Sequence, residues 1–549
     1  MRVPDRAEIA PLFEEFSADG PGCCLGIYLD GELVLETGFG LASLEHRVPI
    51  TGETVFDLAS TSKQFTAACI LLLAEDGSLG LDDHVQKHFP EFALEQDITI
   101  RQLINHTSGL RDVYSLFGMV GWTWPELMVD DQIVEILSRQ RSLNFDPGTA
   151  HSYSNSGYVL LSALIHRVSG KTLAAFAKER IFEPLGMDNS AYRDDITSVI
   201  PNRANGYSQT PDGGFKLDES PSAVTGDGAL NTTVRDMARW ESNFIRPFVG
   251  NESFRGAQLE TAKLADGTDT GYAAGLFLAP YKGLPSVSHG GAWAGFRSDY
   301  IRFPDHGLAV AVFANLAGAN PSALVRKVAE LCLADEMAAE ELAEVGAAAS
   351  PPHEGESAPE VDGPANQAAE ELAEVGAAAC AGLYGDGTTF LRLSADERDG
   401  LEVGVSGTEL SASRTDPGTF STSSPKLTLS FTGGADEPAA VVVRHGEQVI
   451  WTLPRVAPAQ ISEEEAGALS GQYRCDEVDS SWTLRATEEG VEIDRAPREP
   501  VKVGYGPADV LIGPGFNVTI ERAKDGSPAA LLAGDSRAKG LRFERVRTS

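Results

Sequence analysis

Ser60-Thr61-Ser62-Lys63 sets a hydroxyl three residues before an amine, at the head of the apolar run QFTAACILLLAEDG. On a helix, side chains three apart share a face, with Cβ atoms about 5–6 Å from one another. Burial of that face would lower the lysine pKa and favour a neutral amine able to take the serine proton. The helix N-terminus would also turn backbone N–H groups toward an oxyanion formed beside Ser60. The plain alternative is a capping serine with a lysine that carries its charge out to solvent. The pattern recurs at Ser423–Lys426 and Ser536–Lys539. In the first copy Pro425 disfavours a helix interior, so serine and lysine would not share a face. The second lies in a glycine-flanked turn. Both read as chance matches.

Two further segments hold residue types that suit the same chemistry. Tyr153-Ser154-Asn155 stands just before the helical pattern SGYVLLSALIHRVSG. A phenol there can shuttle protons and an amide can position a carbonyl, although such residues are also ordinary turn formers. His289-Gly290-Gly291 ends a strand-like run, where glycines admit close backbone approach and leave N–H groups free. His353-Glu354-Gly355 and Lys524-Asp525-Gly526 have similar wording but no strand context.

Serine, tyrosine and histidine in this order resemble the three motifs of the penicillin-binding-protein-like serine hydrolases: Ser-x-x-Lys, Tyr-x-Asn and Lys- or His-x-Gly on an edge strand. That family includes class C β-lactamases, D-Ala-D-Ala carboxypeptidases, esterases and D-aminopeptidases. Asn105 to Ser115 (NHTSGLRDVYS) and Thr225 to Trp240 (TGDGALNTTVRDMARW) extend the likeness, which covers residues 20 to about 333. The resemblance implies acyl-enzyme chemistry. Ser60 would attack, Lys63 and Tyr153 would share the proton transfer with the base left open, and Asn155 would orient Lys63 and the substrate. Backbone N–H groups of Ser60 and Ala292 would form the oxyanion hole, Gly290 and Gly291 would admit substrate, and no metal or organic cofactor is implied. His289 stands where β-lactamases usually carry lysine. An imidazole is mostly neutral at pH 7, which disfavours carboxylate-bearing β-lactams and favours peptides, amides or esters.

The wording SKQFT, SGLRD, SYSN and HGG, with GQYRCDEVD near the end, is most similar to the D-aminopeptidase branch. That implies a D-stereospecific aminopeptidase or amidase on short peptides or amides. A broad esterase or β-lactamase-like hydrolase, a peptidyl acyl transferase or cyclase, and a non-catalytic penicillin-binding-like protein stay open. An aminopeptidase needs a group for the substrate ammonium, and Asp112 and Asp227 are candidates. Asp509 lies in VGYGPADVLIGPGF (503–516), whose glycines and prolines suggest an irregular loop. By analogy with that branch it would reach the cleft, the alternative being a surface hairpin.

These residues need a scaffold, and 549 residues make several domains. Strand patterns near both ends of the first 334 residues, with helices between, suggest an α+β, β-lactamase/transpeptidase-like catalytic domain whose sheet joins its first and last segments. Asp30-Gly31 between two β-rich runs is a hairpin signal. Helices are expected over Ala7–Phe16, over 61–75 as one run with a recurring apolar face, over GYVLLSALIHRVSG (157–170) closed by Gly170, over TLAAFAKERIFEPLG stopped by Pro184, and from Pro321 to Leu333. Residues 335–379 carry twelve acids and no lysine or arginine, with AAEELAEVGAAA repeated at 338–349 and 368–379. This reads as a linker. Residues 380–457 and 461–549 read as two small antiparallel, barrel-like β domains, each opening on Gly-x-Tyr.

The formal net charge of -36 argues against nucleic acid, and no run reaches the length of a membrane span. Six sparse cysteines and an N-terminus without the build of a signal peptide suggest a cytoplasmic protein. Small-molecule substrate is the expected partner, with a homodimer allowed.

Overall fold

The computed structural model describes residues 1–121, 128–337 and 377–546, less a set of short turns in the last stretch (386–389, 397–399, 406–407, 417, 423–426, 434–437, 446–447, 457–460, 488–489, 497, 507–508, 514–515 and 536). Most of the acidic duplicated segment, His353, the Ser423–Lys426 copy and Ser536 thus lie outside the described residues. The chain divides into two units. Residues 1–110 and 128–337 belong to one, residues 111–121 and 377–546 to the other.

In the first unit β1 (Cys23–Leu29) and β2 (Glu32–Phe39) form the expected hairpin. Its turn holds Asp30 at φ 50° and Gly31 at φ 81°, the left-handed pair that matches strand twist. The helices that bear on the site come next: α1 (Lys63–Glu75), α2 (Asp130–Ser138) and α3 (Asn155–Ser169). After α4 (Val234–Ile245) the chain returns through β3 (Phe277–Tyr281), β4 (Leu284–Trp293), β5 (Phe296–Phe303) and β6 (Leu308–Ala314), then ends in α5 (Pro321–Cys332). The strands make one antiparallel sheet in the order β3-β4-β5-β6-β1-β2. First and last segments therefore meet, with Leu25 opposite Val312, as the pattern of the ends predicts.

Every residue of β6 is buried, the mark of a strand covered on both faces. On one face Leu324, Val325 and Val328 of α5 pack with Leu25, Ile27, Ile301, Val310 and Val312. α4, α1 and β5 share polar ties as well: Trp240 Nε1 donates to Gln64 Oε1 at 2.8 Å, and Glu241 accepts from buried Tyr300 and Arg302.

Three helix expectations change. Residues 61–75 are not one helix with an apolar stripe. A 3₁₀ turn (Ala59–Ser62) leads into α1, and Lys63 through Leu73 are all buried, so the helix is covered all round. Pro184 stops nothing. It sits in the first turn of a short helix (Glu183–Leu185), where its missing N–H goes unused, and the stop is Gly186 at φ 69°. The stretch before it, Lys178–Phe182, is a π-helical turn. At the N-terminus an α turn (Arg6–Ile9) tightens into a 3₁₀ turn (Ala10–Phe13) at Pro11 rather than running to Phe16.

The second unit contains two closed eight-stranded antiparallel barrels. The first runs from Gly382 to Val456 and closes by pairing Leu383 with Val456; the second runs from Gly471 to Arg545 and closes through Tyr473 and Arg545. The two Gly-x-Tyr openings are one device used twice. Tyr384 and Tyr473 hydroxyls each donate at 2.9 Å to a carbonyl four residues back, of Cys380 and Leu469. Arg455 and Arg545 from each last strand bond the carbonyls of Ala381 (2.7 Å) and Ser470 (2.8 Å). The described residues of 503–516, apart from Asp509, are not an irregular loop but belong to the strands Val501–Gly506, Val510–Gly513 and Phe516–Arg522.

Leu25 is fully buried between the sheet and α5. Leu25→Ala is expected to lower unfolding free energy by about 2–5 kcal/mol, read as a lower urea midpoint with unchanged m.

Candidate active site

Ser60 lies in the 3₁₀ turn before α1. Its shape is fixed by Asp57, whose carboxylate accepts from Ala59 N at 2.8 Å, and by Ala59 held at φ 46°. Lys63 is the first residue of α1 and fully buried. Its Nζ stands 3.0 Å from Ser60 Oγ, 2.9 Å from Asn155 Oδ1 and 2.6 Å from the carbonyl of Asp227. As a neutral amine it can give N–H groups to the two fixed acceptors, Asn155 and the Asp227 carbonyl, and turn its lone pair to Ser60. Asn155 opens α3, and the carbonyl of Asp227 follows Gly226, which sits at φ 96° and where a Cβ would stand 2.3 Å from the Tyr158 carbonyl oxygen.

Tyr153 packs its ring 4.9 Å beneath Lys63 Nζ and 4.3 Å from the His106 ring. His106, itself at φ 57°, accepts from Ser154 N through Nδ1 at 3.2 Å. It thereby fixes the segment that carries Tyr153 and Asn155.

β4 brings in His289. Its carbonyl accepts from Thr61 Oγ1 at 3.0 Å, and Ser298 on β5 bonds both Thr61 Oγ1 (2.9 Å) and the Leu58 carbonyl (2.6 Å). A Cβ on Gly291 would stand 2.2 Å from the Leu58 carbonyl oxygen and 3.0 Å from Ser60 N, so only glycine lets β4 lie against the serine turn. Gly290 faces the other way, toward Asp299. Ala292 follows on β4 opposite Arg297. His289 is 3 % exposed. Burial first, then the neighbouring Lys63 charge, push its imidazole pKa down to about 3. Nδ1 donates to the Gly290 carbonyl at 2.6 Å, which leaves Nε2 to accept from the buried Tyr272 hydroxyl at 3.3 Å.

The structure therefore gathers Ser60, Lys63, Tyr153, Asn155, His289, Gly291 and the backbone of Asp227. It places Asp112 and Asp509 in the second unit, each with local work. Asp112 caps the helix Val113–Val120 through Tyr114 N (3.1 Å) and Ser115 N (3.3 Å). Asp509 accepts from Arg522 Nε at 2.7 Å and Tyr505 at 2.6 Å. Sequence reasoning missed Tyr272 and the positioning part of His106. His106 stood inside the quoted NHTSGL, whereas Tyr272 lies in no motif.

A serine three residues before a buried lysine, braced by a His-Gly-Gly strand of an antiparallel sheet, defines a β-lactamase/transpeptidase-like protein. The family model described as Beta-lactamase matches residues 9–335, and the chain belongs to that family. Penicillin-binding protein 4* of Bacillus subtilis is 34% identical over 294 residues, covering 50% of this chain and 64% of that protein. A D-aminopeptidase of Brucella anthropi is 31% identical over 300 residues, covering 54% and 57%. The chain thus spans less than two thirds of the curated relatives it matches. Among solved structures, the octameric penicillin-binding protein homologue from Pyrococcus abyssi aligns with a TM-score of 0.54 at 23% identity, over 81% of this chain and 98% of that one. The penicillin-binding protein from Bacillus halodurans aligns at 0.52 and 23%, over 60% and 99%. These two share the fold.

In an unfolded chain an imidazole takes up a proton near pH 6.5, but in the folded protein His289 does so only near 3. Its neutral form is thus the one the fold accepts, and the group costs stability progressively as pH falls from about 6.5 toward 3. NMR of the His289 ring is expected to show no titration between about pH 8 and 5; a midpoint near 6.5 would contradict its burial.

Proposed function

We propose that the chain is a serine hydrolase working through an acyl-enzyme, with D-stereospecific aminopeptidase or amidase action on short peptides or amides. The observation that carries this reading is Lys63 Nζ at 3.0 Å from Ser60 Oγ with two fixed acceptors behind it. Ser60 Oγ attacks the amide carbon while its proton passes to the Lys63 and Tyr153 pair. The oxyanion is received by the N–H groups of Ser60 and Ala292, and the proton then goes to the leaving amine. Water attacks the ester and releases the acid, with the same groups handling the proton in reverse.

Relatives near 30% identity that are D-aminopeptidases support the amide substrate and its D configuration. The neutral His289 supports a substrate without a carboxylate at that position. Of the three candidate aspartates, Asp227 has its backbone in the cluster, and we retain its carboxylate for the substrate ammonium. Six free, buried cysteines support a reducing compartment such as the cytoplasm.

Wild type should release nitroaniline from D-alanine anilide in preference to the L form, and Ser60→Ala should lose at least ~10³-fold in kcat. Equal rates for the two proteins would remove Ser60 as nucleophile, and preference for a short acyl ester over both anilides would favour the esterase reading. His289→Lys is expected to restore a cation to β4 and to improve KM for a carboxylate-bearing acyl ester by about tenfold, checked against the same ester without the carboxylate.

A further inference from the structure

Lys63 is aimed by a carbonyl that belongs to a loop, and a loop carbonyl holds position only as well as the loop does. The loop runs from Ala223 to Gly228. Gly226 presents its carbonyl to Thr66 Oγ1 at 2.7 Å, and the next residue, Asp227, presents its own to Lys63 Nζ. Two residues before Asp227, the loop is gripped from the opposite side. The first residue of α2, Asp130, accepts from Thr225 N at 2.8 Å, Thr225 Oγ1 at 2.9 Å and, on α3, Ser162 Oγ at 2.7 Å. Ser162 and Thr225 hydroxyls also lie 2.8 Å apart, and Ala223 N donates to the Met128 carbonyl at 2.9 Å. A single carboxylate thus ties α2, α3 and the Thr225 loop together.

We propose that Asp130 is a positioning residue: as a carboxylate it clamps the 223–228 loop, and through the Asp227 carbonyl it keeps the Lys63 amine aimed at Ser60 Oγ. This deepens the serine-hydrolase reading and rests on it. The bonding suits the ionised acid: Thr225 N donates to Oδ1, and the Thr225 and Ser162 hydroxyls both donate to Oδ2, where a proton would turn one of them from donor to acceptor. Burial pushes its pKa up to about 6. The neighbouring charges are Asp131 on its own helix, His166 and Arg167 on α3, and Asp194, all lining the cavity of about 230 Å³ beside it, with Asp227 on the loop. The sign of the shift separates function from stability. The fold prefers the protonated acid, so stability is lost as pH rises from about 3.8 to about 6 and is level above that, whereas the clamp acts in the ionised form.

The test compares rates of Ser60 labelling by a fluorophosphonate, with kcat, KM and Tm alongside. In Asp130→Asn the labelling rate and kcat should fall about 10- to 100-fold with KM little changed, as expected when a proton-transfer group is misaimed. Tm at pH 7 should not fall, and the wild-type inflection in labelling near pH 6 should vanish. Thr225→Val should also slow labelling, while Thr225→Ser, which keeps both donors, should label at the wild-type rate. Wild-type labelling rates in both Asp130→Asn and Thr225→Val would overturn the clamp and leave the serine-hydrolase reading standing. Failure of the wild type to label at Ser60 would overturn that reading and the clamp with it.

Discussion

A buried amine needs somewhere to put its N–H groups, and most of the site follows from how this chain meets that need. Lys63 has no exposure, so each polar direction around Nζ must be filled by protein. Asn155 from α3 and the Asp227 carbonyl from the Thr225 loop fill two of them, and Ser60 Oγ stands in a third. The acceptors come from separate parts of the sequence. α1, α3 and the loop must therefore be packed correctly before the amine has any defined direction. The fully covered α1, with Phe65 against Trp240 and Gln64 bonded to the same indole, holds the base of this arrangement rigid.

The sheet supplies the other wall. β4 can approach the serine turn only because Gly291 has no side chain, and Thr61 and Ser298 lock the approach through hydroxyl bonds to backbone carbonyls. That same closeness buries His289. Its ring then has both nitrogens engaged, by the Gly290 carbonyl and the Tyr272 phenol, and its protonation is opposed by burial and by Lys63. The site is thus built around one amine rather than two cations. This physical difference separates it from a site with lysine at the same place on the strand.

The second unit repeats a different economy. Each barrel starts with a glycine, a tyrosine bonded to the preceding helix, and an arginine from the closing strand laid over the tyrosine ring at 5.6 and 5.8 Å. Closure satisfies the edge strands that an open eight-stranded sheet would expose.

Much of this was legible as text. Ser-x-x-Lys before an apolar run, Tyr-x-Asn before a helix and His-Gly-Gly at a strand end are local patterns. Local chemistry decides turns, helix starts and strand ends, so the Asp30-Gly31 hairpin, the Gly170 stop and the paired Gly-Tyr openings were readable. Where neighbours decide, reading failed. The residues around Ser60 depend on which faces are covered, and Pro184 opens a turn instead of ending one. The glycines and prolines of 503–516 mask strands that pair with their next neighbours, Gly504 with Ile512 and Leu511 with Val518. The sequence by itself determined which residue types meet and in what order. Only the tertiary structure decided that a carbonyl at Asp227 and a carboxylate at Asp130 help direct Lys63, that Tyr272 completes His289, and that Asp112 and Asp509 serve a cap and an ion pair. Lys63 lies 164 positions from Asp227 and Asp130 lies 95 from Thr225, and hydrogen bonds over such spans leave no local period or motif, because their geometry exists only after the elements have packed.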